Sequence, residues 1–306
     1  MSGITGYLGI DVGGTKVAVR VEGAGADPYR TTFRWSADGG VADDMAALAR
    51  TLAEVRRHWP GPLRAAGVAM PATLDPDGRV TAWPNRPGWA GLDLAAELRA
   101  MLPGTAVACA DDGDLAALAE ARAAGHDDLL YLGIGTGVGG GAVVGGALFP
   151  GTGRGSFEIG HLVVDRCGTR CDCGRVGCVQ SRASGPAILR RAAELRDAPV
   201  EPAELREAWQ RRDSWAVVAL DEASAVLAAA VVGTAELLHP TAVVIGGGFA
   251  DAFPDLTSLV ARHSQALARP GHPAPAHHRA RLGGLSSLHG ALHLARTLPA
   301  PTSVPA

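Results

Sequence analysis

The chain has 306 residues, 47% of them hydrophobic and 19% charged, with a formal net charge of -3 at pH 7. This length holds two domains with separate cores, and the composition excludes an intrinsically disordered chain. Acidic and basic residues are interspersed, with no basic stripe or recognition helix, which argues against a nucleic-acid partner; no apolar run approaches membrane-spanning length, so the expected location, by elimination, is the cytoplasm.

Tyr7–Asp11 reads as a buried strand, Val12–Thr15 as a turn and Lys16–Val21 as an alternating second strand. A third strand is expected near Tyr29–Trp35. Asp43–Trp59 has the pattern of a helix, with Asp43 and Asp44 as cap candidates and Pro60-Gly61 as its stop. Ala65–Ala69 is a strand, Leu92–Met101 a helix, Thr105–Ala110 a short strand and Asp114–Ala124 a helix. The pattern then restarts: Leu129–Gly133 as strand, Gly135–Gly141 as glycine turn, Ala142–Val144 as returning strand. The repetition predicts two related lobes. Helices follow at Gly185–Leu195, Pro202–Arg211 and Trp215–Leu238, then a strand at Ala242–Ile245, and helices near Asp255–Ala268 and Leu285–Thr297. The Pro-rich tail from Pro299 reads as frayed.

The most specific signal lies between Glu158 and Gln180. His161, Cys171, Cys173 and Cys178 have spacings that can close a tetrahedral zinc site. Cys171 and Cys173 lie two apart, so in an extended segment their thiolates face one way, and Gly174 and Gly177 let the chain double back to Cys178. Four protein ligands leave no open position for water, so a Zn2+ ion here is structural. Through His161 it would fix Glu158, three residues earlier on the same helix face. A disulfide is the alternative, disfavoured because nothing suggests secretion and the cysteines cluster in one place. Cys167 and Cys109 read as ordinary thiols.

Asp11-Val12-Gly13-Gly14-Thr15-Lys16 ends a strand in a carboxylate and continues with two glycines and a hydroxyl. Gly13 and Gly14 let backbone N–H groups approach phosphate oxygens, Thr15 adds a donor, and Asp11 can hold Mg2+ through water. Lys16 closes this set, its ammonium reading as solvated, not catalytic. Hairpins also use Gly-Gly for geometry alone. The same chemistry recurs at Gly135, Thr136 and Gly137, and two such turns suit the triphosphate of ATP. Gly246 and Gly247, after the late strand, would let adenine or ribose lie close to the backbone.

Taken together, DVGGTK at Asp11–Lys16, PNRPGW at Pro84–Trp89, DDGDLAALAE at Asp111–Glu120, GTGVGGG at Gly135–Gly141, EIGH at Glu158–His161 and CDCGRVGC at Cys171–Cys178 resemble the ROK family of bacterial sugar kinases and repressors. The resemblance implies an α/β, actin-like ATPase (ribonuclease H-like) fold of two lobes, with a ligand cleft between them and a structural zinc loop. Residues 1–110 plus about 290–306 would form the smaller N-terminal lobe, and 111–289 the larger C-terminal lobe. ROK repressors carry a helix-turn-helix ahead of the first turn; ten residues precede Asp11, so an enzyme is expected. The implied reaction moves the ATP γ-phosphoryl to the 6-hydroxyl of a glucose-type hexose, with Asp112 as general base. Asp112 has a second reading, as the cap of the helix that follows it. By the same resemblance, Asn85, Asp111, Asp112, Glu158, His161 and Gln180 hold the sugar, and the assembly is a homodimer. Trp83 and Trp89 either wall that pocket or pack in the core.

Three positions depart from the glucose-phosphorylating pattern: Asp111 where Asn is usual, Gln180 where Glu is usual, and Ala72 where Gly is usual. A carboxylate at 111 is a pure acceptor with charge. It would suit an ammonium group on the sugar, through a charge-assisted hydrogen bond of roughly 1.5–3 kcal/mol. The expected substrate is therefore glucose or an amino-hexose such as kanosamine (3-amino-3-deoxyglucose). The alternatives are a C7-cyclitol, N-acetylmannosamine, or a non-catalytic sugar sensor of the same fold.

Overall fold

The computed structural model describes residues 3–151 and 155–299, so the Pro-rich tail from 300 lies outside the described residues. The chain forms two compact units. The first comprises residues up to Ala119, a piece within 150–156 and the stretch from Leu285; the second comprises Glu120–Phe149 and Phe157–Gly284.

In the first unit the apolar run at the start of the chain forms β1 (Gly6–Val12), which turns at once into β2 (Lys16–Glu22) and then β3 (Tyr29–Arg34). Helix α1 (Val41–His58) leads to β4 (Leu63–Ala69), a small two-stranded piece of β5 (Thr73–Leu74) and β6 (Val80–Ala82), helix α2 (Leu94–Met101) and β7 (Ala106–Ala110). The sheet order is β3-β2-β1-β4-β7, with β1 antiparallel to β2 and parallel to β4. Parallel strands need cover on both faces. Met45, Leu48, Leu52 and Val55 of α1 belong to the core cluster that includes Leu8, Ile10, Val19 and Val68. The last helix, Ser286–Thr297, lies against β1 and β4, where a Cβ at Gly67 would stand 2.0 Å from the Ala291 carbonyl oxygen. Only glycine allows this approach of helix to sheet.

Helix α3 (Asp112–Ala124) leads into the second unit. There β8 (Leu129–Ile134), β9 (Val138–Val144) and β10 (Ala147–Phe149) repeat the opening meander. Helices α4 (Gln180–Ala183), α5 (Gly185–Arg196), α6 (Pro202–Arg211) and α7 (Ser214–Leu238) precede β11 (Ala242–Gly246). Helices α8 (Gly248–Ala252) and α9 (Leu256–Leu267) and strand β12 (Ala276–Arg279) complete the unit. Its order, β10-β9-β8-β11-β12, has the same antiparallel and parallel pairings as the first sheet. The expected relation between the lobes is therefore present as one topology used twice, the α/β, actin-like arrangement.

Four local expectations change. The second glycine turn is shorter than Gly135–Gly141, because Gly139, Gly140 and Gly141 are strand residues paired with Gly133, Leu132 and Tyr131. A Cβ at Gly140 would stand 2.5 Å from the Tyr131 carbonyl oxygen, so that glycine serves strand packing. Asp43 does cap α1, accepting from the Gly40 N–H at 3.0 Å, but Asp44 turns inward and is 2% exposed. Trp83 and Trp89 are both core residues, at 2% and 1% exposure, packed edge to face. Finally, α7 reaches the membrane-spanning length that the sequence reading denied to every run: its 25 residues hold a window of mean hydropathy 1.8, half of it buried inside the protein. Leu220, Ala223, Leu227 and Val231 of this helix are core residues, which is why it is so apolar.

Candidate active site

Each phosphate-turn candidate sits where a central strand reverses. In the first unit the Gly13 N–H donates to the Lys16 carbonyl at 2.9 Å and closes the hairpin between β1 and β2. Behind the turn, the Trp35 indole N–H donates to the Gly13 carbonyl at 2.8 Å and Arg86 Nε donates to the Gly14 carbonyl at 3.3 Å. Gly14 also lies against Asn85, whose Cβ would be 3.1 Å from any Cβ added there. The turn and one sugar-ligand candidate are thus in direct contact.

Asp11, at the end of β1, and Asp112, at the start of α3, are about a hundred residues apart in sequence yet interact in the fold. Burial and then the Asp112 charge push the Asp11 carboxyl up from 3.8 to about 6; a hydrogen bond from Ser287 and the charge of Lys16 work in the opposite direction. Like charges that destabilise each other in this way make a good seat for a divalent cation, which relieves the repulsion.

Asp111, not Asp112, has the capping geometry: its Oδ1 accepts from the Gly113 N–H at 2.9 Å and from the Asp114 N–H at 3.4 Å. The helix N-terminus thereby orients the Asp111 carboxylate. Asp112 is the first residue of α3 itself.

In the second unit the Gly135 N–H donates to the Gly137 carbonyl at 2.9 Å, and the Gly185 N–H to the Gly135 carbonyl at 2.8 Å. Thr136 is exposed at the tip. Gln180, the first residue of α4, accepts the Val138 N–H on Oε1 at 3.1 Å, and a Cβ at Gly137 would stand 2.7 Å from that oxygen. This side chain, expected on the sugar, braces the glycine turn. Gly247 has φ +93° and Ile134 backbone atoms 2.6 Å from its virtual Cβ. Gly246 meets the Tyr131 hydroxyl at 2.9 Å in the same way. Close packing excludes a side chain at both positions.

Glu158 precedes a single 3₁₀ turn, Ile159–His161, not an α-helix. Cys171 and Cys173 lie within a reverse turn instead of an extended segment: the Gly174 N–H donates to the Cys171 carbonyl at 2.9 Å, and Gly174 has φ +92°. The donor atoms of His161, Cys171, Cys173 and Cys178 all lie within 4.8 Å of one another. Cys173 Sγ is 3.7 Å from Cys178 Sγ, and Cys171 Sγ is 3.8 Å from His161 Nδ1. Tetrahedral zinc with Zn–S bonds of about 2.3 Å separates its sulfurs by about 3.8 Å, so the four residues fit the ion. The Val179 N–H donates to the Leu162 carbonyl at 3.0 Å within the loop, and the loop packs on the start of β9, where a Cβ at Gly160 would stand 1.8 Å from the Val138 carbonyl oxygen.

Sequence reasoning overlooked Arg86, Trp35 and Asp44 as supports of the first turn. The available signal was the place of Arg86 beside Asn85 within PNRPGW.

A family model described as the ROK family matches residues 7–298. A kanosamine kinase from Amycolatopsis mediterranei (strain S699) is 53% identical over 289 residues, covering 94% of this chain and 95% of its own. Among solved structures, a ROK hexokinase from Thermus thermophilus aligns with TM-score 0.81 at 31% identity, over 95% of this chain and 98% of that one. A ROK family glucokinase from Streptomyces griseus, in complex with glucose and AMPPNP, aligns with TM-score 0.78 at 27% identity, over 96% of this chain and all of that one (100%). The chain therefore belongs to the ROK family, as one of its sugar kinases.

Proposed function

We propose that this kinase transfers the γ-phosphoryl group of ATP to the 6-hydroxyl of an amino-hexose, with kanosamine as its substrate. The observation that carries this reading is the 53% identity to a kanosamine kinase across nearly the full length of both chains. The geometry of Asp111 supports it. A carboxylate oriented by the Gly113 and Asp114 N–H groups is a preformed partner for an ammonium group on the sugar ring.

Asp112 is the general base. It takes the proton of the 6-hydroxyl as the new P–O bond forms, and the leaving group is ADP. Asn85, Glu158 and His161 orient the ring; the orientation of His161 Nδ1 toward Cys171 is consistent with its other ring nitrogen serving a sugar hydroxyl. Backbone N–H groups of the Gly13–Thr15 and Gly135–Gly137 turns bind the phosphates. Asp11 would hold Mg2+, which when bound would neutralise the phosphate charge. Zinc on His161, Cys171, Cys173 and Cys178 supplies only rigidity to the loop. The enzyme acts in the cytoplasm as a homodimer.

The test compares kcat/KM for kanosamine, glucose, glucosamine and N-acetylmannosamine, with ADP release as readout. Kanosamine should lead glucose by roughly ten- to a hundredfold, the value of one charge-assisted hydrogen bond. Equal values for the two sugars would refute the ammonium assignment. Absence of ADP release with every sugar would favour a sensor.

A further inference from the structure

We infer that Arg86 is a positioning residue for the nucleotide: it aims the N–H groups of the first glycine turn. This rests on the reading of Gly13–Thr15 as a phosphate-binding turn.

Every residue in the chain of contacts is in the first unit. Arg86 is mostly buried, at 15% side-chain exposure, and makes an ion pair with Asp44, which is 2% exposed. The Trp89 indole N–H donates to the same Asp44 oxygen at 2.9 Å. The Arg86 guanidinium lies over the Trp35 ring, 5.0 Å from its centroid, and Trp35 stacks edge to face on Trp89. The guanidinium is thereby held between a carboxylate and an aromatic face. From this fixed position its Nε–H reaches the Gly14 carbonyl at 3.3 Å, while the Trp35 indole reaches the Gly13 carbonyl at 2.8 Å.

In a trans peptide the carbonyl of one residue and the N–H of the next point in opposite directions. Tying the Gly13 and Gly14 oxygens toward Trp35 and Arg86 therefore points the Gly14 and Thr15 N–H groups away from them. The Thr15 carbonyl is held as well, accepting from the Trp35 backbone N–H at 3.1 Å. A flexible Gly-Gly turn is free to flip either peptide, and an anion needs both N–H groups presented together. Arg86 supplies what the glycines lack. A buried charge pair is poor evidence of net stabilisation, but its fixed fork geometry gives the direction this turn requires.

The experiment must separate this role from simple folding. Arg86→Met alone leaves Asp44 as an unpaired buried charge, which destabilises strongly. Asp44→Asn together with Arg86→Met removes both charges while keeping an acceptor for the Trp89 N–H. We expect this double variant to melt within a few degrees of wild type. It should nevertheless bind Mg·AMPPNP roughly ten- to a hundredfold more weakly by calorimetry, the effect of one misdirected donor to a charged group. Arg86→Lys should keep the ion pair and lose the nucleotide affinity in similar measure, because an ammonium cannot serve Asp44 and the Gly14 carbonyl in the same geometry. Wild-type nucleotide affinity in either variant overturns the inference. A wild-type protein that binds no Mg·AMPPNP instead overturns the nucleotide reading, and this inference falls with it.

Discussion

Asp11→Asn should make the resting protein more stable while abolishing its activity. Moving a carboxyl from 3.8 to about 6 on folding costs the native state at most about 3 kcal/mol once both states are ionised. The causes are burial first and the charge of Asp112 second. The sign follows from linkage: with the folded pKa raised, the native state holds its proton longer, so its stability is fully retained below pH 3.8 and falls as pH rises through about 6. Asparagine does not titrate and still accepts the Ser287 hydrogen bond. The gap between variant and wild type should therefore be small at pH 4, open mainly between pH 4 and 6, and be nearly complete by pH 7. At pH 8 it should reach several degrees of Tm, up to about 10 °C at two to four degrees per kcal/mol. Differential scanning fluorimetry from pH 4 to 8 measures this. Added magnesium should be omitted, and chelators avoided, since they would also strip zinc. With Mg·ATP the order should reverse, because only wild type gains ligand stabilisation. A variant that melts at or below wild type at every pH, or a gap that stays constant, would refute the buried, repelled carboxylate.

Other expectations follow from the same geometry. Asp112→Asn should lower kcat by roughly 10²–10⁴-fold; a kcat within threefold of wild type rules out the general base. Asp111→Asn keeps an oxygen for the Gly113 N–H, so it should leave Tm unchanged and reduce the kanosamine-to-glucose ratio of kcat/KM by roughly ten- to a hundredfold. An unaltered ratio would show that charge at 111 does not select the sugar. Cys173→Ser should lose stoichiometric zinc by metal analysis and lower Tm, and retention of both would exclude Cys173 as a ligand to a structural metal. Gln180→Leu removes the acceptor of the Val138 N–H and should raise KM for ATP more than KM for sugar; the opposite ranking would return Gln180 to the sugar.

Local chemistry was legible in the sequence. The zinc set is visible because three of its ligands fall within eight residues and His161 lies ten before Cys171, so loop geometry alone brings them together. The two strand–turn–strand units were readable because a strand–turn–strand signal is complete within about 20 residues. The span of α6, Pro202–Arg211, follows from its proline start and its periodicity. Tertiary structure decided everything that depends on which neighbour a side chain meets. Two adjacent aspartates, Asp43 and Asp44, look alike in sequence, yet one caps α1 and the other is buried under Arg86 and Trp89. Asp112 meets Asp11 only because β1 and β7 both run parallel to β4 in one sheet, which brings the end of β1 beside the start of α3. Electrostatic coupling, burial and orientation are properties of distance in space, and contacts between residues 11 and 112, or 14 and 86, have no local trace in the chain.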